Sequence, residues 1–261
     1  MAINKPLVSI ITPSFNSQKY IAETIESVKG QNYPHIEHII VDGASTDGTK
    51  EILRQYDGQV KWVSEPDNGM YEAINKGFAM AQGEIFTYIN SDDVYYCENV
   101  VTEVVDAFEK IQSIDFTYGH CAFIDEAGDI LYVYKAPFFS RTIALAYPRI
   151  IFHQPTCFWR QKVHREFDIS YKYSSDANFF RSLCRNYQGK NLHRIIARFR
   201  IRASSLSFTQ KKQMGEESQR IFTNKTPSYL KIIDLVYIRT ILNLRANLKR
   251  FRLYCRNRAY L

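Results

Sequence analysis

Ile85-Phe86-Thr87-Tyr88-Ile89-Asn90-Ser91-Asp92-Asp93 is the stretch from which this chain is best read. A β-branched and aromatic run ends in two adjacent carboxylates. Such groups at the end of a buried strand repel each other and lose hydration unless a divalent cation or a partner donor offsets the cost. One expectation is therefore a metal-assisted phosphate site. The other is that Asp92 or Asp93 caps the helix that begins near Glu98.

Working outward, the same strand-then-polar-turn pattern recurs. Val8-Ser9-Ile10-Ile11-Thr12 is stopped by Pro13 and followed by a helical spacing of Ile21, Ile25 and Val28. Residues 36–41 form a second apolar run ending in Asp42-Gly43 and the turn residues Ser45 to Gly48, with a helix carrying Ile52 and Leu53 next. Residues 60–63 read as a third strand, 70–81 as a helix and 85–89 as a fourth strand. Alternating strands and helices predict an open, mainly parallel sheet with ligands bound beyond the carboxyl ends of its strands. Four polar loops fall at those ends: Thr12-Pro13-Ser14-Phe15-Asn16, Asp42-Gly43, Glu65-Pro66-Asp67-Asn68-Gly69 and Asn90-Ser91-Asp92-Asp93. Helix capping explains each loop singly. It does not explain the share of acids, Asn and Gly in all four, so a crevice on one rim is expected.

Beyond residue 98 the pattern changes. Residues 98–110 read as a surface helix, and 116–124 with 130–134 as a hairpin around Asp125-Glu126-Ala127-Gly128. Residues 150–159 read as a strand with His153-Gln154-Pro155 inside or beside it, and Asp176 precedes a helix with Phe179, Phe180 and Leu183 on one stripe. This half is expected to meet the second substrate.

The 261 residues, 45% of them hydrophobic, are enough for one large core. The first apolar stretch is too short for a signal peptide, so a cytoplasmic protein is expected. Five scattered cysteines without CxxC pairing read as reduced thiols. The net charge of +7 is local: residues 225–261 hold nine Lys or Arg against Asp234 alone, a net +8, which leaves the rest of the chain at −1. A body so near neutrality argues against nucleic acid as a partner.

These motifs, in this order over residues 6–205, resemble a bacterial family 2 glycosyltransferase of the GT-A fold, an α/β architecture with a Rossmann-like mixed sheet flanked by helices. The stretches that carry the resemblance also include Val41 to Thr49, Gly69-Met70-Tyr71, Ala73-Ile74-Asn75-Lys76-Gly77, His153-Gln154-Pro155-Thr156 and Ser175-Asp176-Ala177-Asn178. The resemblance implies residues 1–224 as the catalytic domain, with a nucleotide-sugar half (1–110) and an acceptor half (111–224). It implies an inverting transfer from a nucleotide-diphosphate sugar, UDP favoured, to a glycan or lipid-linked glycan in surface polysaccharide synthesis. Asp42 would accept from the base, with the Thr12-Pro13 backbone, Asn16, Asp67, Asn68, Asn90 and Ser91 around the nucleotide. Asp92 would hold Mn²⁺ or Mg²⁺, and Asp176 would be the general base. Asp93, His153 and Gln154 are acceptor or diphosphate candidates. Asn90 departs from the commoner Asp-x-Asp form, and Arg202-Ala203-Ser204-Ser205 stands where related chains carry a paired-glycine loop.

Asp42 and Asp176 each carry a plainer reading, as turn acceptor and as helix N-cap. A sugar nucleotidyltransferase is disfavoured by a first loop, Pro13 to Gln18, without Gly or Arg. A non-catalytic membrane adaptor is disfavoured by the joint presence of Asp42, Asp92 and Asp176. In the tail, apolar residues from Leu230 to Phe251 run beside Arg245, Lys249, Arg252 and Arg256. This spacing suits a helix lying on an anionic membrane surface, at the inner face of the cell membrane, or one packed on the domain or on a second copy.

Overall fold

The computed structural model describes residues 5–141, 151–202 and 210–223; the basic tail lies outside them. The nucleotide half alternates as expected: β1 (Val8–Ser14), α1 (Ile21–Lys29), β2 (Ile36–Asp42), α2 (Thr49–Gln55), β3 (Lys61–Ser64), α3 (Met70–Met80) and β4 (Ile85–Tyr88). After the acidic motif come β5 (Val94–Tyr95), α4 (Val100–Lys110), β6 (Phe116–Ile124) and β7 (Ile130–Tyr134). The second half continues with β8 (Phe158–Arg160), α5 (Ser175–Asn186), β9 (Gly189–Arg200) and α6 (Lys211–Thr223).

One mixed sheet runs in the order β3-β2-β1-β4-β8-β6-β9-β5, with β7 on β6. Its first four strands are parallel, in register from Val8 opposite Ile36 to Ser14 opposite Asp42. Strand β1 is buried along its whole length because helices cover both faces of the sheet. On one face Ile11, Ile39 and Val41 pack with Tyr71, Ile74 and Phe78 of α3 and with Phe179 and Phe180 of α5. On the other, Val8 and Ile10 meet α4, and Ile40 meets α1 and α2. At Gly77 a Cβ would overlap Ile11 Cγ2, so glycine is what lets α3 lie this close to β1.

One expectation is corrected and one is refined. The surface helix expected at 98–110 is α4, which faces solvent with Glu103, Glu109 and Lys110 and buries Val100, Val101, Val104, Val105 and Phe108 against the sheet. The strand read at 150–159 is, among the described residues, a 3₁₀ turn at Gln154–Thr156 followed by the short β8. Pro155 lacks the N–H a ladder needs, and the Gln154 side chain is engaged elsewhere.

Candidate active site

The strand order places β1 between β2 and β4, so the chain leaves β1 and β4 on opposite sides of a topological switch point. Three loops are knitted together there. Asn16, held at a φ of 48°, donates its backbone N–H to Ser45 Oγ (2.8 Å) and accepts from Thr46 N (2.9 Å). Ser17 Oγ lies 2.7 Å from Ser91 Oγ, joining the loops after β1 and β4. The Thr12 hydroxyl points into the sheet against His38 Nε2 (2.9 Å), which leaves the Thr12-Pro13 backbone, not the side chain, for any ligand.

Asp42 is fully buried and accepts from Ser45 N (2.9 Å), Ser45 Oγ and Ser64 Oγ (2.7 Å). The turn-acceptor role is thus made in full, with one carboxylate lone pair left over. Asp67 sits against Gly43 and accepts from Gly69 N (2.8 Å), and burial raises its pKa. Asn68 turns outward to donate to Glu72 Oε2 (2.7 Å).

The acidic motif divides its labour. Asp93 is 1% exposed and internal: its carboxylate accepts from Arg200 N (2.9 Å) and Asn90 Nδ2 (3.2 Å). Burial, with the neighbouring Asp92 charge, pushes its pKa well above the ordinary carboxylate value. Asp93 therefore fixes the loop. Asp92 keeps an open edge, its side chain 16% exposed, and pairs with Arg202 Nη2 at 2.6 Å. Burial raises its pKa too, opposed by Arg202. Asn90 donates to both Asp93 and Gln154 Oε1 (3.2 Å), while its own Oδ1 is buried without a hydrogen-bond partner. That orphan acceptor fits a hydroxyl donor such as a ribose.

Behind the loop, Arg200 is a fixture absent from the sequence reading. Its guanidinium, with the side chain 1% exposed, donates to the carbonyls of Asp92 (3.0 Å), Asp125 (3.2 Å) and Glu126 (3.0 Å) and pairs with Glu23 (2.6 Å). The alternation Arg198-Phe199-Arg200-Ile201-Arg202 was the available signal for one charged strand face.

From the second half, Gln154 Nε2 donates to Tyr88 O (2.5 Å), so it braces the strand leading into the motif. His153 lies between Tyr134 and Phe123, with ring centroids 4.5 and 4.7 Å away. Burial drives its pKa down to about 4. Asp176 is not the N-cap, which is Ser174; it lies in the first turn of α5. Its Oδ1 accepts from the Tyr71 hydroxyl at 2.9 Å, across 105 residues of sequence, and burial raises its pKa. Tyr71 closes the Gly69-Met70-Tyr71 stretch, and nothing in the local sequence marks its hydroxyl for this contact.

Among the described residues no group of three or more His, Cys, Asp or Glu could hold a metal unaided. Asp92 alone among the motif's acids has an open edge, and its existing partner is a cation. One hard carboxylate oxygen of this kind fits Mn²⁺ or Mg²⁺ if a diphosphate and water complete the shell. No helix among the described residues is long and apolar enough to cross a membrane.

The comparisons bear on this geometry. A Bacillus subtilis protein named as a candidate teichuronic acid biosynthesis glycosyltransferase, TuaG, is 41% identical over 117 residues, 43% of this chain and 46% of that one. The chain thus spans about half the length of that relative. S. aureus TarS, solved with UDP-GlcNAc, superposes with a TM-score of 0.61 at 18% identity over 85% of this chain and 68% of that one. The mannosyltransferase PcManGT of Pyrobaculum calidifontis, solved with GDP-Man and Mn²⁺, does so with a TM-score of 0.61 at 17% identity, covering 88% and 68%. Both share the α/β fold described above. The family described as Glycosyl transferase family 2 matches residues 9–168, the span that holds the switch-point loops and the acidic motif, and the chain belongs to that family.

Proposed function

We propose that this chain transfers a sugar from a nucleotide-diphosphate donor, a UDP-sugar in the favoured case, to a hydroxyl of a glycan or lipid-linked glycan during surface polysaccharide synthesis. The reading draws on the UDP-GlcNAc bound by TarS and the teichuronic acid assignment of TuaG. The observation that carries it is the meeting of two halves. Asp176 of α5, in the second half, bonds to Tyr71 of α3, in the first.

In this reading the loops after β1, β2 and β4 bind the nucleotide, with Asn16, Asp42, Asp67, Asn68, Asn90 and Ser91 around it. Asp92 holds Mn²⁺ or Mg²⁺, which when bound would neutralise charge on the departing diphosphate. Asp176 takes the proton of the acceptor hydroxyl as that oxygen bonds to the anomeric carbon. The bond from the anomeric carbon to the diphosphate oxygen breaks with its electron pair leaving on the diphosphate, and the configuration inverts. A carboxylate with a raised pKa is the better proton acceptor for this step. The basic tail, residues 225–261, would hold the domain at an anionic membrane carrying the acceptor. Residues 1–110 and 111–224 serve donor and acceptor respectively.

A thermal-shift panel of UDP, GDP, dTDP and their sugars, with and without Mn²⁺, tests the reading, because a ligand that binds the native state raises apparent stability. A Mn²⁺-dependent shift with one nucleotide class is expected. No shift with any member would overturn the proposal.

A further inference from the structure

Asp176 is contacted from α3, and the turn before it from α6. From α3, Tyr71 donates its hydroxyl to Oδ1 (2.9 Å), and Tyr71 is itself 3% exposed and stacked on Phe167, with centroids 5.9 Å apart and planes 9° from parallel. From α6, Glu217 spends both carboxylate oxygens on the turn that leads into α5: Oε1 accepts from Lys172 N and Oε2 from Tyr173 N, each at 2.9 Å. Ser174 Oγ adds a longer bond to Met214 O (3.4 Å), and Ile221 and Phe222 of α6 pack on Ala177, one residue past Asp176. A bidentate carboxylate on two successive amides fixes where a helix starts. The turn 172–174 therefore sets the position of Asp176, and Tyr71 sets the rotation of its carboxyl group.

We propose that Tyr71 and Glu217 are positioning residues for Asp176: the first aims its carboxylate, and the second seats the helix that presents it. The inference rests on the base role given to Asp176 above and extends it to the otherwise unassigned helix α6. The two residues act on the carboxylate's charge in opposite senses. The Tyr71 hydroxyl bonds to the ionised form and favours it, whereas the Glu217 carboxylate is a like charge nearby and disfavours it. Titratable groups that act on Asp176 or are acted on by it include Tyr71 on α3, Tyr88 on β4 and Glu217 on α6.

The test is a ¹³C-carboxyl NMR titration of the full chain labelled at aspartate, with the Asp176 resonance assigned by its loss in Asp176→Asn. Tyr71→Phe should move the Asp176 midpoint up and Glu217→Gln should move it down, each relative to the parent chain. Turnover with UDP-GlcNAc as probe, read as UDP release, should fall about tenfold in both variants, with KM for the donor unchanged. Shifts that are absent or share a sign would overturn the inference while leaving the base role intact. An Asp176→Asn chain with normal turnover would overturn the base role, and the inference with it. Should Glu217→Gln fail to fold, Tyr71→Phe, which removes one hydroxyl, decides alone: an upward midpoint supports the proposal and an unmoved one overturns it.

Discussion

Replacing Arg200 by methionine tests whether the acidic loop is held from behind. The substitution keeps an unbranched apolar stem and deletes a guanidinium whose side chain is 1% exposed. Three backbone carbonyls, those of Asp92, Asp125 and Glu126, lose their donor. Breaking a buried ion pair by removing one partner costs ~3–5 kcal/mol when the remaining charge stays buried. Glu23 is 52% exposed and rehydrates, so that contribution is discounted and the carbonyls dominate, at ~1 kcal/mol each. A loss of about 3 kcal/mol follows, or roughly 6–12 °C in Tm for a domain of this size. Asp93 keeps its bond because it accepts from the backbone N–H of residue 200, which methionine retains. The loop should therefore loosen at Asp92 but not collapse, weakening UDP binding in Mn²⁺ about tenfold, the equivalent of ~1.4 kcal/mol. Urea unfolding followed by tryptophan fluorescence and calorimetry of UDP measure the two effects. A variant that loses less than about 1 kcal/mol and binds UDP as the parent does would refute Arg200 as the anchor.

Asp92→Asn should leave the fold intact and remove most metal-dependent turnover, since one anionic ligand is lost from the metal–diphosphate clamp; undiminished UDP release at limiting Mn²⁺ would count against the assignment. Asp176→Asn should lower transfer by roughly 10²–10⁴-fold with donor affinity nearly unchanged. Because burial raises the Asp176 pKa, activity in the parent should fall as pH drops through a value above the ordinary carboxylate range, and a pH–rate profile without that limb would contradict the base role. Burial drives His38 down to about 3, so the unfolded chain takes up a proton near its ordinary ~6.5 that the folded chain refuses. Stability is fully present above that upper value and declines as pH falls toward the folded one; His38→Gln should flatten this slope between about pH 7 and 5 in urea titrations, and an unaltered slope would remove His38 from the account. Deleting residues 228–261 should release the chain from anionic liposomes in co-sedimentation while nucleotide binding persists; a full-length chain that ignores such vesicles at low salt would end the membrane reading.

Strands β1 and β4 of the parallel half were legible because they are buried on both faces. Residues 85–89 are a near-continuous apolar run, residues 36–41 are apolar apart from Glu37 and His38, and each ends in turn chemistry that marks the rim. Strand β9 was not, since its alternation shows only from Arg198 onward, at its end, and its place depends on the ladder with β6. The site divided in the same way. Asp92 was readable from its local motif, but the pairing of Asp176 with Tyr71 spans 105 residues and is fixed by the packing of α5 on α3. The helix at 98–110 was legible as a surface element, and its stripe of Val100, Val101, Val104, Val105 and Phe108 is the side that the core uses.

The most direct test of a nucleotide-sugar site on this rim is calorimetric titration of UDP into the full chain with Mn²⁺, without it, and into Asp92→Asn with Mn²⁺. Binding should require Mn²⁺ and be largely lost in the variant, with GDP and dTDP as the alternative nucleotides. A chain that binds none of the three in Mn²⁺, or an Asp92→Asn variant that binds as the parent does, would contradict it.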